Sequence, residues 1–457
     1  MFKFVLGGLV TSLCLTCATK AEDVPIRVSK ETTYVTEPKL QDGFVDLAGA
    51  INARLSEGVT TDNNVAAVLF YWMGPDFNGT RLDSRFYEEL GIPVPPDNGD
   101  YFLSLGAYLN AQDTAQRAEE RTALLENLGN AQTRPWKADE FPQIAAWLAA
   151  QAEPLDKIIH SLERERYYSP LIPAAPDEKG QALIATLLPH LQQTRSISRA
   201  LLSRAMLHLG HGRNEAAWAD IRATLRLGRH IGHGASLIDC LVGIAVEQMA
   251  HQAALTFVAH TMPNREWCEK AIHELERLPP RADVADAVTL FERLAFIDVI
   301  VMLSTDVGDR GELLGIEDGL FQLKRLAKLP WIKGIDWNET ARVGNDMYDK
   351  LAAAMRMPTY AERLEAFALL QQEIDQIKQQ ATRGGLLTNP QQGGQQTRKA
   401  TGQAIGEILV ALLVPALTQA DAAQTRAAQN FTNVRATLAL AAYHADHDRY
   451  PESVADL

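Results

Sequence analysis

Residues 214–260 read NEAAWADIRATLRLGRHIGHGASLIDCLVGIAVEQMAHQAALTFVAH, and this stretch decides the fold. Ala217, Trp218, Ile221 and Leu225 recur at the spacing of one helix face. Gly232-His233-Gly234 then breaks the pattern. Glycine just past the last periodic residue is the expected helix stop, because it enters the left-handed region without a Cβ clash. A second helix follows over 235–260, apolar on nearly every side, which predicts burial. Two helices across a short glycine turn make a hairpin.

The same pattern extends in both directions. Upstream, a helix is expected from Glu178 to Leu209, bent at Pro189 and stopped by Gly210-His211-Gly212. Downstream, helical periodicity covers 264–278, 282–304, 318–329, 337–356 and 359–382, with Asp336 as an N-cap. Before the hairpins, helices are expected over 43–57, 62–73, 82–90, 99–128 with a break, and 139–167 with a bend near Pro154. The proline-rich loop Ser169 to Asp177 marks a boundary between an N-terminal domain, 22–168, and a helical-hairpin domain, 178–383. A strand is expected only near the start, where Val24, Ile26 and Val28 alternate before Thr32-Thr33-Tyr34-Val35-Thr36. Residues 384–399, rich in Gly and Gln with no apolar face, read as a flexible linker. A long helix over about 400–447 follows, apolar in its first third and kinked at Pro415. The expected class is all-α: helical hairpins in a loosely repeat-like array, with a short N-terminal strand and a long C-terminal helix.

Lys3 precedes an uncharged apolar run from Phe4 to Thr16, and small residues lead to Ala21. That run has the length of a secretory signal and falls short of the roughly 20 residues a bilayer-spanning helix needs. Residues 1–21 therefore read as a cleaved signal peptide, with no transmembrane anchor left behind. Cleavage would remove Lys3 and Lys20 and deepen the net charge from −13 to −15. Such a balance argues against nucleic acid, whose binding needs clustered Lys and Arg. Export permits disulfides, but Cys240 and Cys268 lie on opposite sides of the turn near Pro263. Hairpin geometry separates them by roughly 27 Å along the axis, so two free buried thiols are expected.

His208, His211, His230 and His233 form two copies of a His-x-Gly-His-Gly pattern. A helix of roughly 25 Å lies between them, so helix termination explains them better than zinc does. His444, Asp446, His447 and Asp448 crowd the end of the last helix, where a polar, solvated terminus suffices as explanation. More pointed are Asp239, Glu247 and His251, one polar stripe inside the apolar helix 235–260, with Gly243 on the same stripe. Asp298 likewise interrupts an apolar run. Buried carboxylates require partners. A Glu–His pair can do acid–base work, whereas arginines of adjacent helices, such as Arg222, Arg229 or Arg293, would make the stripe structural. No nucleophile elbow, phosphate loop or His-Glu-x-x-His motif occurs, and no metal or cofactor is implied.

Gly212-Arg213-Asn214-Glu215-Ala216-Ala217-Trp218-Ala219-Asp220-Ile221 resembles the second-helix start of a tetratricopeptide repeat. Leu412-Leu413-Val414-Pro415-Ala416-Leu417, the helix through Tyr443 and the Asp448-Arg449-Tyr450-Pro451 turn resemble part of the long helix of type II pseudopilins, although Glu407 lies within the apolar part. The segments Glu31 to Pro38, Phe141 to Leu148, Tyr167-Tyr168-Ser169-Pro170-Leu171 and Arg449-Tyr450-Pro451-Glu452-Ser453 resemble a group of exported helical proteins from planctomycete-type bacteria. That resemblance implies export, helical architecture and a chain that continues past the final turn, but no activity; the pseudopilin resemblance implies a β-element after that turn. The expectation is an exported scaffold or binding protein of the periplasm or cell envelope, with a protein or peptide partner. The alternative is a periplasmic hydrolase or lyase using Asp239, Glu247 and His251.

Overall fold

Asn64, Asp83, Ser104, Ser236, Asn264 and Asp336 each begin a helix by accepting a hydrogen bond from a backbone N–H two or three residues on. Such caps satisfy donors that have no partner within the first helical turn. The computed structural model describes residues 26–77, 80–112, 118–173, 181, 183, 188, 190–304, 335–383, 395–411, 414–453 and 455. The helices in order are α1 (Leu47–Leu55), α2 (Val65–Met73), α3 (Ser84–Glu89), α4 (Leu105–Ala111), α5 (Ala118–Thr133), α6 (Pro142–Ala150), α7 (Ala152–Ser161), α8 (His190–Gly210), α9 (Asn214–Gly232), α10 (Leu237–Thr261) and α11 (Arg265–Glu276). They continue with α12 (Val284–Ala287), a π turn (Val288–Glu292), α13 (Arg293–Ser304), α14 (Trp337–Met355), α15 (Tyr360–Arg383), α16 (Gln395–Ala411) and α17 (Val414–His447). The protein is thus all-α; the one paired sheet among the described residues is a two-residue hairpin, Asp76–Phe77 with Thr80–Arg81.

The expected N-terminal strand is not found in the described residues. Ser29 to Tyr34 is instead a turn. The Thr33 N–H and hydroxyl both donate to the Ser29 carbonyl at 2.9 Å, and Tyr34 takes a left-handed conformation at φ 63°. Threonine hydroxyls that bond nearby carbonyls offer the chain an alternative to a ladder, and here that alternative prevails. The expected signal peptide, the expected helix over 318–329 and residues 384–394 of the expected linker lie outside the described residues. Gln395 to Lys399, expected as linker, open α16. The bend expected at Pro154 falls at Gln151, which separates α6 from α7, and Pro154 sits in the first turn of α7, where its missing N–H costs nothing.

Apolar side chains gather into two cores among the described residues. One joins α2 to α11, with Phe70, Trp136, Trp147, Ile197, Trp218 and Phe257 buried in it. The other joins the segment around Phe44 and α1 to α12–α15. α1 thereby packs across the 169–177 loop, with elements downstream of it. Helix α10 serves both cores: Val242, Val246 and Ala250 face the first, Leu237, Cys240 and Ile244 the second. It packs on α9, α8, α5 and α17. By length and composition α10 is apolar enough to cross a membrane, but 61% of that window is buried inside the fold. Its contact with α9 is unusually close. A Cβ on Gly243 would stand 2.8 Å from the Gly232 nitrogen, and one on Gly228 would stand 2.8 Å from the Gly243 carbonyl.

The distal half of α17 lies against the body. Leu417, Ala420 and Ala427 enter the second core, and Val434, Leu438 and Ala442 enter the first. Arg363–Asp421, Arg435–Glu276 and Arg265–Asp446 pair its flanks with the body. The kink expected at Pro415 borders residues 412–413, which lie outside the described residues. Glu407 accepts from Gln403 at 2.9 Å.

Candidate functional site

The polar stripe of α10 divides into three environments. Asp239 closes a capping box with Ser236: its Oδ2 accepts from the Ser236 N–H at 2.9 Å and hydroxyl at 2.6 Å. Its Oδ1 lies 3.1 Å from His190 Nε2. Glu247, 1% exposed, is held by two arginines. Arg229 Nε donates to Oε2 at 2.7 Å, while Arg281 donates to Oε1 at 3.1 Å and to Oε2 at 2.7 Å. Arg229 also donates to the Pro279 carbonyl and Arg281 to that of Ala427. The Arg229 guanidinium lies 5.0 Å from the Phe431 ring centroid. α17 therefore closes the clamp from outside.

His251, one turn beyond Glu247, is 2% exposed, and neither ring nitrogen has a hydrogen-bond partner among the described residues. Its ring lies 5.9 Å from that of Phe431. Burial drives its pKa down to about 4, against the pull of Glu247. His251 is therefore a neutral ring in the core at physiological pH. The three stripe residues do not form a single constellation: Asp239 serves the helix start, Glu247 serves the arginines, and His251 packs on Phe431.

The other candidates find local partners. His230 and His233 each place Nε2 on a carbonyl, of Leu162 at 3.1 Å and Pro280 at 3.0 Å. His211 Nδ1 meets the Leu207 carbonyl at 2.9 Å, and burial pushes His208 down to about 4. His447 stacks on Tyr443 and Asp446 pairs with Arg265. Asp448 ends α17 in a left-handed conformation. No group of three potential metal ligands converges among the described residues. Cys240 and Cys268 are free and buried in different cores, as hairpin geometry implied. Burial pushes the Cys240 thiol up to about 12, which makes it a poor nucleophile. The two oxygens of Asp298 accept the Gln181 and Leu183 N–H groups at 2.7 Å.

Beside the clamp lies the feature that reading along the chain missed. A groove of about 840 Å³ runs between the Tyr34 turn and α1 on one side and the π turn and α14 on the other. Its charged lining includes Arg54, Arg281, Asp286, Arg293, Asp349 and Arg356. Arg293 is 1% exposed, and its Nη2 reaches Asp349 at 2.5 Å. The Tyr34 ring lies over its guanidinium, 4.1 Å from centroid to Cζ. A second void, lined by Gly228, Arg229, Cys240, Glu247 and Arg281 among others, adjoins the groove but holds only about 10 Å³. Such a space admits at most about one water, so nothing larger in the groove reaches Glu247. The groove draws on segments some 320 residues apart, and no local pattern announces such a site.

No family model, curated protein or solved structure matches the chain.

Proposed function

We propose that this is an exported, non-catalytic helical binding protein of the periplasm or cell envelope, with a protein or peptide as its partner. The observation that carries the reading is the contrast between an open, charged groove and a closed polar stripe. Both Glu247 oxygens are occupied by arginines, and a void of about 10 Å³ separates them from the groove. A general base needs hydrogen-bond reach to its substrate, so the hydrolase or lyase alternative lacks a path. The leader-like N-terminus supports export, as does the resemblance to exported helical proteins of planctomycete-type bacteria. The loosely repeat-like, tetratricopeptide-like stacking of hairpins belongs to the same proposal, supported by the consecutive packing of α8 on α9 and α9 on α10.

Two experiments test it. Intact mass after expression in an exporting host should correspond to loss of residues 1–21; retention of Met1 to Ala21 refutes the cleaved leader. Panning a random peptide library against the full chain, followed by calorimetry on the recovered sequences, should return binders that saturate at one site. Failure to enrich any peptide refutes the binding reading.

A further inference from the structure

Arg293 combines burial with an incomplete set of partners. Its side chain is 1% exposed, yet its carboxylate partner Asp349 is 70% exposed. Its Nε has no hydrogen-bond partner among the described residues. A buried guanidinium normally has its donors filled, because an unsatisfied charged group in the interior is costly. The face of the guanidinium is covered by Tyr34, itself 40% exposed and in the left-handed region that a bulky side chain seldom enters. Backbone outliers of this kind concentrate at ligand clamps. Arg293 also follows directly on the π turn Val288–Glu292. The extra residue of such a turn rotates the next side chain by about 100° relative to an uninterrupted helix, and these turns recur at functional sites.

We propose that the groove binds an extended peptide through a carboxylate, its C-terminus or an acidic side chain, which takes the place of Asp349 on Arg293 while Tyr34 folds over it. This rests on the peptide-binding reading above and names the recognition chemistry. The exposed Asp349 is the stand-in: it satisfies the arginine when the groove is empty and swings into water when a ligand carboxylate arrives. Arg54 on the rim is the second cation. Its side chain is 73% exposed, and its ion pair with Glu57 is a loose 3.7 Å. Arg281 is already held by the buried Glu247, and the half-exposed Arg356 pairs with Asp286 on the rim. Arg293 and Arg54 thus face one ligand carboxylate, and Asp283 and Asp286 in the same lining would repel a polyanion. Gly232, Gly234, Ala235, Ala282, Ala287 and Ala352 line part of it, beside larger groups such as Leu55, His233, Pro280 and Leu290. The glycines and alanines let a peptide main chain lie close, which suits an extended segment better than a bulky folded surface.

The test uses the full chain and three probes: an N-acetylated five-residue alanine–glycine peptide with a free C-terminal carboxylate, its C-terminal amide, and succinate. Calorimetry should show the acid peptide binding roughly tenfold or more tighter than the amide, the scale of a charge-assisted hydrogen bond. Asp349→Asn, which removes the competitor from an exposed position, should tighten the acid peptide several-fold and leave the amide unchanged. Arg54→Ala should weaken the acid peptide with no change in melting. Arg293→Lys should abolish the preference; if it does not fold, Asp349→Asn decides. Equal binding of acid and amide, or no change in their ratio in Asp349→Asn, overturns the proposal. Succinate binding as tightly as the acid peptide also overturns it, because the groove would then recognise an anion rather than a chain. Library peptides that bind without any carboxylate preference would sink this inference while leaving the peptide-binding reading intact.

Discussion

Two buried arginine–carboxylate systems lie on either side of Cys240, and they are built in opposite senses. At Glu247 the carboxylate is buried together with both of its arginines, whose side chains are 8% and 15% exposed. At Arg293 the cation is buried and its carboxylate partner is out in water. The first arrangement has no exchangeable member, since every oxygen and most donors are satisfied inside the fold. The second has one. Burial of a charge shows only that partners are needed; whether the partner is itself buried separates a structural lock from a site that can trade ligands.

The largest expected effect comes from removing the cover of the closed system. Deleting residues 400–457 strips Ile405, Leu417, Val434 and Leu438 from the cores, along with the Ala427 carbonyl and the Phe431 ring from the clamp. At roughly 1.5–3 kcal/mol per large aliphatic side chain, the loss before entropy is about 6–12 kcal/mol, comparable to the whole stability of a typical protein. The truncated chain should fail to give a cooperative melting transition. A truncated protein that melts like the full chain would show that α17 is not part of the body.

Next in size is Glu247→Gln. The substitution keeps the shape but leaves Arg229 and Arg281 facing a neutral amide, and breaking a buried pair from one side costs about 3–5 kcal/mol. Chemical denaturation should show the midpoint falling with an unchanged slope. A loss under about 1 kcal/mol, the range of exposed pairs, would mean that water already reaches the clamp and that the contrast with Arg293 is false.

A smaller effect should appear with pH. Burial lowers His230 and His251 to about 4, below the ordinary imidazole value of 6.5. The unfolded chain therefore takes up protons that the native state refuses. Stability is full above pH 6.5 and falls as pH drops from 6.5 towards 4, by at most on the order of 3 kcal/mol per fully buried histidine. His251→Phe, which keeps an aromatic ring beside Phe431, should flatten that part of the profile. A profile identical to that of the parent would mean that His251 is not the buried neutral group described.

Reading along the chain recovered the helices because each is amphipathic or capped by its own residues, and both signals are local. It recovered the unpaired cysteines because a hairpin fixes axial distance. It named Arg229 as a partner for the α10 stripe but missed Arg281, which comes from the non-helical segment before α12. It assigned Arg222 and Arg293 to the same stripe, whereas Arg222 pairs with Glu274 and Arg293 with Asp349. The docking of α17 was half visible. Its apolar start signalled burial, but its distal half mixes alanine with polar residues, and small side chains give a weak periodic signal even where Ala427 and Ala442 are buried. The N-terminal turn misread as a strand shows the same limit, since β-branched residues favour extended backbone only until their hydroxyls find local carbonyls.

The smallest effect on stability should be that of Asp349→Asn, and its smallness is the informative part. Asp349 meets Arg293 from an exposed position, so after substitution water can solvate the outer nitrogen that the carboxylate leaves. The Tyr34 and Tyr348 rings, 4.1 and 5.7 Å from the guanidinium carbon, remain as cation–π partners. The expected change is below about 1 kcal/mol, the range of solvent-exposed pairs, against the several kcal/mol expected at Glu247. Measured side by side under one buffer, the two substitutions compare the same chemistry, carboxylate to amide, at a closed and an open arginine. Should Asp349→Asn destabilise as much as Glu247→Gln, Asp349 is a structural partner that the fold cannot release. Arg293 would then be unavailable to any ligand carboxylate.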